Sequence, residues 1–340
     1  MARGELLRKL FSSYSGHDET SFRNTALEII SEEQQKQNHA LAKDLMKILD
    51  TRRIVKEPKT VTFNYSQPIP TDKDRDAPLV EIRQPVKRLS DAVLGENTQA
   101  QVFRILEEFR KAELLRVHGL KAKSKLLFCG PPGCGKTLTA EIIATELHLP
   151  ILYTRFDAII SSYLGETSSN LRQLFDYARS STWVVILDEF DAIGKSRNDP
   201  TDHGELKRVV NSFLQLLDSF DGNSLIIATT NHEGLLDDAL WRRFDEVVVF
   251  NRPSPSEVRL VIEKKLKNFP YNKSDISSIA KQLAGLSHSD IEWFCFDAIK
   301  SAILQGKDNV SQSIIDEVLI RLKNRLRTKA TSKPPSRKNR

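Results

Sequence analysis

Between Leu89 and Pro253 short β-branched runs alternate with helical segments, and this alternation restricts the fold more than any other feature of the chain. The runs are Lys125–Cys129, Ile151–Arg155, Val184–Asp188, Leu225–Thr230 and Val247–Phe250. Strands spaced by helices are the pattern of a parallel sheet with crossover helices. After Pro253 the strands stop, and helical stretches follow near Ser256–Leu266, Ile276–Leu283, Ser289–Leu304 and Ser311–Leu326. The expected fold class is α/β: a five-stranded parallel sheet with crossover helices at 89–253, followed by an α-helical lid at 254–328.

The flanks are simpler. Residues 1–55 read as a small helical element, with Leu6, Leu7, Leu10 and Phe11 on one stripe and Leu41, Ala42, Leu45, Met46 and Leu49 on another. Residues 56–88 hold five prolines and many charges around one strand-like run, Val61–Tyr65, and read as a linker. The net charge is +6, but residues 321–340 carry nine Lys or Arg and no acid, so taking nine from +6 leaves −3 for the rest. The basicity belongs to the C-terminal end. Residues 329–340 read as a disordered basic tail, with nucleic acid or an acidic protein as its conceivable partners. Cys129, Cys134 and Cys295 lack the spacing of a disulfide framework or a zinc site. No apolar run is long enough for a membrane span and no secretory signal opens the chain, so a cytoplasmic location is expected.

Chemistry concentrates at the ends of two strands. Gly130-Pro131-Pro132-Gly133-Cys134-Gly135-Lys136-Thr137 follows an apolar strand and precedes a helix that starts near Leu138. This is the P-loop pattern in the context it requires: backbone N–H groups and a helix N-terminus surround phosphates, Lys136 reaches the outer phosphates, and the Thr137 hydroxyl holds Mg²⁺. Cys134, beside Lys136 and a helix N-terminus, is expected to have a lowered thiol pKa. About fifty residues on, Val184-Val185-Ile186-Leu187-Asp188-Glu189 is a buried strand ending in two carboxylates. Asp188 is placed to hold the metal through water and Glu189 to polarise an attacking water.

Together these motifs resemble the AAA family of ATPases over about 240 residues, and the motor is most similar to the branch that includes katanin, spastin and the vacuolar-sorting ATPases. The resemblance implies a P-loop NTPase fold, ATP and Mg²⁺ as cofactors, ATP hydrolysis, and a homo-oligomeric ring, usually hexameric. It is carried further by Ile226–Asn231, which looks like the sensor-1 strand with Asn231 orienting the water, and by Leu236–Asp245, similar to the second region of homology. There Arg242 and Arg243 would be arginine fingers reaching the γ-phosphate of a neighbouring subunit. Gly285–Ile291 resembles a lid signature near the adenine, with His288-Ser289 where the family has Gly-Ala. Asp91 and Val93 lie in a segment similar to the family's entry segment, with Leu94 in place of its Gly. Tyr163-Leu164-Gly165 stands where the family's first pore loop grips a threaded polypeptide.

The reading is therefore an ATP-hydrolysing motor that remodels or unfolds protein substrates, with a separately encoded protease or adaptor as a further partner. Two alternatives are a nucleic-acid-associated switch and an ATP-dependent scaffold or chaperone acting through the N-terminal helices. Ser289–Ile303 lacks the arginine that the nucleic-acid relatives usually carry in this lid helix, which counts against the first alternative. His232-Glu233-Gly234-Leu235-Leu236 opens like a zinc-protease helix but has no second His, so that segment supplies no peptidase.

Overall fold

The computed structural model describes residues 68–72, 77–155, 159, 164–190, 203–231, 238–267, 269–271 and 276–331, together with 6, 25–32, 36, 38, 41–43 and 45 near the N-terminus. Contacts divide the chain into two units, Met1–Phe63 and Asn64–Arg340. In the first, residues 25–32 are helical, and Thr25, Ile30 and Ala42 are buried while Leu41 is exposed. The run Val61–Tyr65 lies outside the described residues.

The second unit is built on a six-stranded sheet. Its strands are β1 (Glu81–Arg83), β2 (Lys125–Cys129), β3 (Ile151–Arg155), β4 (Val184–Asp188), β5 (Leu225–Thr230) and β6 (Glu246–Val249), in the order β1-β3-β4-β5-β2-β6. All pairings are parallel except β1 with β3. The connecting helices are α1 (Glu96–Arg110), α2 (Ala112–Val117), α3 (Lys136–Leu147), α4 (Leu164–Arg179), α5 (His203–Asp218) and the short α6 (Asp238–Trp241).

Alternate residues of the central strands feed two cores, because side chains switch faces at each step. Leu126, Phe128, Ile186 and Ile227 pack under α1 and α3 against Ile105, Ala140 and Ile143. Leu127, Val185, Leu187 and Ala228 pack on the other face against Leu171, Phe175 and Phe213 of α4 and α5. A third core lies within the lid helices α7 (Pro255–Lys265), α8 (Ile276–Gln282), α9 (His288–Leu304) and α10 (Gln312–Thr331), around Val258, Ile262, Phe294 and Val318. Helix α7 starts where Ser254 and Glu257 form a reciprocal cap and Pro255 occupies the first turn, so the sheet gives way to the lid sharply.

Two parts of the expectation are corrected. The sheet has six strands rather than five, because β1 lies in the segment read as linker. That segment is tied to the sheet: Val80 is buried, the Thr154 hydroxyl donates to the Leu79 carbonyl at 2.8 Å, and the Asn170 amide donates to buried Asp72 at 2.9 Å. A three-residue edge strand of sequence Glu-Ile-Arg among prolines carries charge instead of apolar alternation, as edge strands commonly do, and so gives no strand signal. The last helix also continues through Thr331, beyond the expected boundary at 328, because no helix breaker intervenes before Pro334. Residues 332–340 of the basic tail lie outside the described residues, and none of the described helices is long and apolar enough to cross a membrane.

Candidate active site

The carboxyl ends of the parallel strands present the reactive groups, as open parallel sheets generally do. Strand β2 delivers Gly130, whose φ of +138° excludes other residues; an added Cβ would stand 2.0 Å from the Phe250 carbonyl oxygen. Gly133 is equally confined: its Cβ would meet the Ser289 hydroxyl at 2.2 Å, and its carbonyl accepts the Ser289 N–H at 3.1 Å. The loop therefore leans directly on the first turn of the lid helix α9. Gly135 then caps α3, which begins at Lys136 and aims its unpaired N–H groups at the loop.

A cavity of about 420 Å³ opens here. From the sheet side it is lined by Gly133, Lys136, Thr137, Asp188, Glu189 and Asn231, and Pro132, Cys134, Gly135 and Leu138 complete that wall. Asp91, Val93, His288 and Ser289 enclose it from the lid side. Two of the expected P-loop residues take part differently: the carbonyls of Gly130 and Pro131 accept from the buried Lys136 ammonium at 2.7 and 2.9 Å. Lys136 also donates to Asn231 Oδ1 at 2.8 Å, which joins the β2 and β5 ends.

The Asp188 carboxylate is met by four neighbours. Thr137 Oγ1 lies 3.3 Å from each of its oxygens. Thr229 Oγ1 donates to Oδ1, Tyr153 Oη donates to Oδ2 at 2.9 Å, and the Glu189 N–H reaches Oδ1 at 3.1 Å. A hydroxyl facing a carboxylate at the mouth of a phosphate cradle is an all-oxygen donor set that fits Mg²⁺, which keeps several waters and takes only one or two protein oxygens. Among the described residues there is no cluster of three or more His, Cys, Asp or Glu that could hold a metal.

Glu189 follows with φ of +56°, a left-handed turn rare outside glycine. The Phe190 N–H donates to the Thr229 carbonyl at 2.9 Å and holds the turn closed, so the carboxylate leaves the strand line and stands half-exposed beside Arg155 at 3.3 Å. Neither Arg242 nor Arg243 lines the cavity of its own chain. Arg242 is exposed just beyond α6, and Arg243 is paired with Asp218 at 3.1 Å. Tyr163 lies outside the described residues, while Leu164 and Gly165 open α4.

Residues 126–252 match the model of the ATPase family associated with various cellular activities (AAA). An uncharacterized AAA family ATPase of Sinorhizobium fredii is 42% identical over 94% of this chain and 95% of its own length. The chain belongs to the AAA family of ATPases. A putative 26S proteasome regulatory subunit homologue of Methanocaldococcus jannaschii is 32% identical over 67% of this chain and 62% of its own. An ATP-dependent zinc metalloprotease of Sphaerobacter thermophilus is 30% identical over 74% and 52% respectively. As an AAA ATPase the protein binds and hydrolyses nucleotide.

The electrostatics of this AAA site correct one expectation. Cys134 is buried, and desolvation raises its thiol pKa although Lys136 and Arg252 pull the other way. The sequence shows the nearby cation but not the loss of water. Burial likewise pushes His288 below its ordinary range; neither ring nitrogen is in a well-formed hydrogen bond, and the ring sits beside the Val93 backbone and Glu257. Burial lowers Lys264 too, and its ammonium donates to the Ala92 carbonyl at 2.9 Å, which ties the entry segment to α7.

Three residues of the site carried no role in the sequence reading: Tyr153, Thr229 and Arg155. Tyr153 is pushed up to about 12, first by burial and then by Asp188, so its hydroxyl remains a donor throughout the physiological range. For Thr229 and Arg155 the available signal was position, since both lie at the carboxyl ends of strands, where parallel sheets meet ligands, whereas Tyr153 stands in the middle of β3.

Proposed function

We propose that this ATPase remodels or unfolds protein substrates as a homo-oligomeric ring, hexameric by family likeness, in which each site is completed by the neighbouring copy. The observation that carries the reading is the place of the arginine pair. A loose phosphoryl transition state needs a cation at the γ-phosphate, yet Arg242 is exposed and outside its own cavity. Because Arg243 is engaged with Asp218, Arg242 is the finger that reaches the next copy.

In this reading Lys136 and the loop N–H groups hold the phosphates, Thr137 and Asp188 hold Mg²⁺, Asn231 orients the water and Glu189 accepts its proton. Magnesium supplies charge neutralisation when bound. Asp91, Val93, His288 and Ser289 enclose the base and ribose. Two relatives are named as a proteasome regulatory subunit homologue and as a zinc metalloprotease, which supports a protein as the substrate and a separately encoded protease or adaptor as a further partner. Tyr163, Leu164 and Gly165 would grip the chain by apolar contact, which needs little sequence preference.

The experiment compares wild type, Tyr163→Ala and Tyr163→Phe for ATPase rate with and without an unfolded protein, beside a remodelling assay. The Ala variant should keep its basal rate within about threefold but lose stimulation and remodelling, since the phosphate-handling residues are untouched. The Phe variant should match wild type. Full-speed remodelling by Tyr163→Ala would reject threading and favour a scaffold acting through residues 1–55, and stimulation by DNA instead of protein would favour the nucleic-acid switch.

A further inference from the structure

The Asp188 carboxylate is gripped from both neighbouring strands. Thr229 on β5 takes Oδ1, and Tyr153 on β3 takes Oδ2 at 2.9 Å. The parallel register sets Tyr153 opposite Ile186, two residues before Asp188, so the phenol shares a face with the carboxylate and reaches along the sheet to meet it. On its far side the ring is covered by Arg83 of β1, whose guanidinium carbon is 3.4 Å from the ring centroid. Arg83 is held in turn by Glu81 at 2.7 Å, and Glu81 pairs directly across from Tyr153. A cation on the face of a phenol fixes the ring's orientation.

We propose that Tyr153 is a positioning residue for the metal-holding carboxylate of Asp188, its hydroxyl setting the rotation of the carboxylate plane. The proposal rests on the reading of Thr137 and Asp188 as the magnesium pair. A carboxylate that binds its cation through water must present one lone-pair direction accurately, yet its terminal torsion is broad. Two hydroxyls from opposite strands remove that freedom and leave the side facing Thr137 for the cation. Tyr153 acts through Asp188 and has no contact with the reacting atoms. Partners of this outer kind are worth about 10- to 100-fold in metal affinity.

The decisive variant is Tyr153→Phe, which keeps the ring, the packing and the Arg83 contact and deletes only the hydroxyl. Binding of the slowly hydrolysed analogue ATPγS to the full chain is measured by calorimetry in Mg²⁺ and in EDTA, and the ratio of the two affinities reports the metal contribution apart from turnover. The expected result is an unchanged affinity in EDTA and a ratio reduced by about tenfold or to near one. Asp188→Asn should lose the ratio altogether. A wild-type ratio in Tyr153→Phe with a lost ratio in Asp188→Asn would overturn the positioning role alone. Equal weakening in Mg²⁺ and EDTA would also overturn it, since the hydroxyl would then support the fold and not the metal. An Asp188→Asn protein with the wild-type ratio would remove the magnesium reading and this proposal with it.

Discussion

Glu189 combines a left-handed backbone with a half-exposed carboxylate, and a backbone strained in this way persists only where its surroundings hold it. Replacing it with Gln keeps the shape and removes the carboxylate proposed as the base. Glu189→Gln should bind ATP as wild type does but turn over roughly 10²- to 10⁴-fold more slowly, as rapid-quench assays would read. The thiols give a second prediction at this scale. All three cysteines are buried, and burial raises Cys134 and pushes Cys295 up to about 12. At neutral pH native protein should react slowly with Ellman's reagent and keep its ATPase activity, whereas unfolded protein should release the full complement; rapid inactivation relieved in Cys134→Ala would contradict this. His288 adds a pH dependence. Its folded pKa lies below the ordinary 6.5, so between these values the unfolded chain binds more protons and stability falls as pH drops. The Tm of wild type should therefore fall more than that of His288→Gln on going from neutral pH to below 6.5.

At the scale of elements, the parallel strands were legible as short β-branched runs between helical segments, and the lid helices by the end of such runs after Pro253. The P-loop and the Asp188-Glu189 pair were legible for a related reason: their chemistry is written in neighbouring residues. Tyr153 and Thr229 acquire their roles only through strand register, 35 and 41 residues from Asp188 in sequence, and one chain gives no local trace of that pairing. Strand β1 is similar, since it exists because β3 offers an edge and Asn170 offers a partner for Asp72. Asn170→Ala withdraws that donor from a buried carboxylate and should cost about 1–3 kcal/mol in denaturant unfolding, with the loss centred on the edge of the sheet. A change within error would mean that the segment before β1 is held by its other contacts.

For the whole molecule, the sheet and lid together form a cavity around the phosphate cradle, and among the described residues no arginine lines it. The fold leaves Arg242 outside, beyond α6, while Arg243 is occupied within the chain. Family motifs made the arginine pair visible, but which member is available to a neighbour depends on Asp218 at the end of α5, 25 residues earlier. In the proposed ring a working site is shared between copies. The direct measurement is the ATPase rate of mixtures of wild type and Arg242→Ala at fixed total concentration, since the variant keeps its own P-loop, Thr137 and Asp188. Shared sites predict a decline steeper than the wild-type fraction, with Arg242→Ala alone slower by about 10³-fold or more. A rate strictly proportional to the wild-type fraction, or an active Arg242→Ala protein, would contradict it.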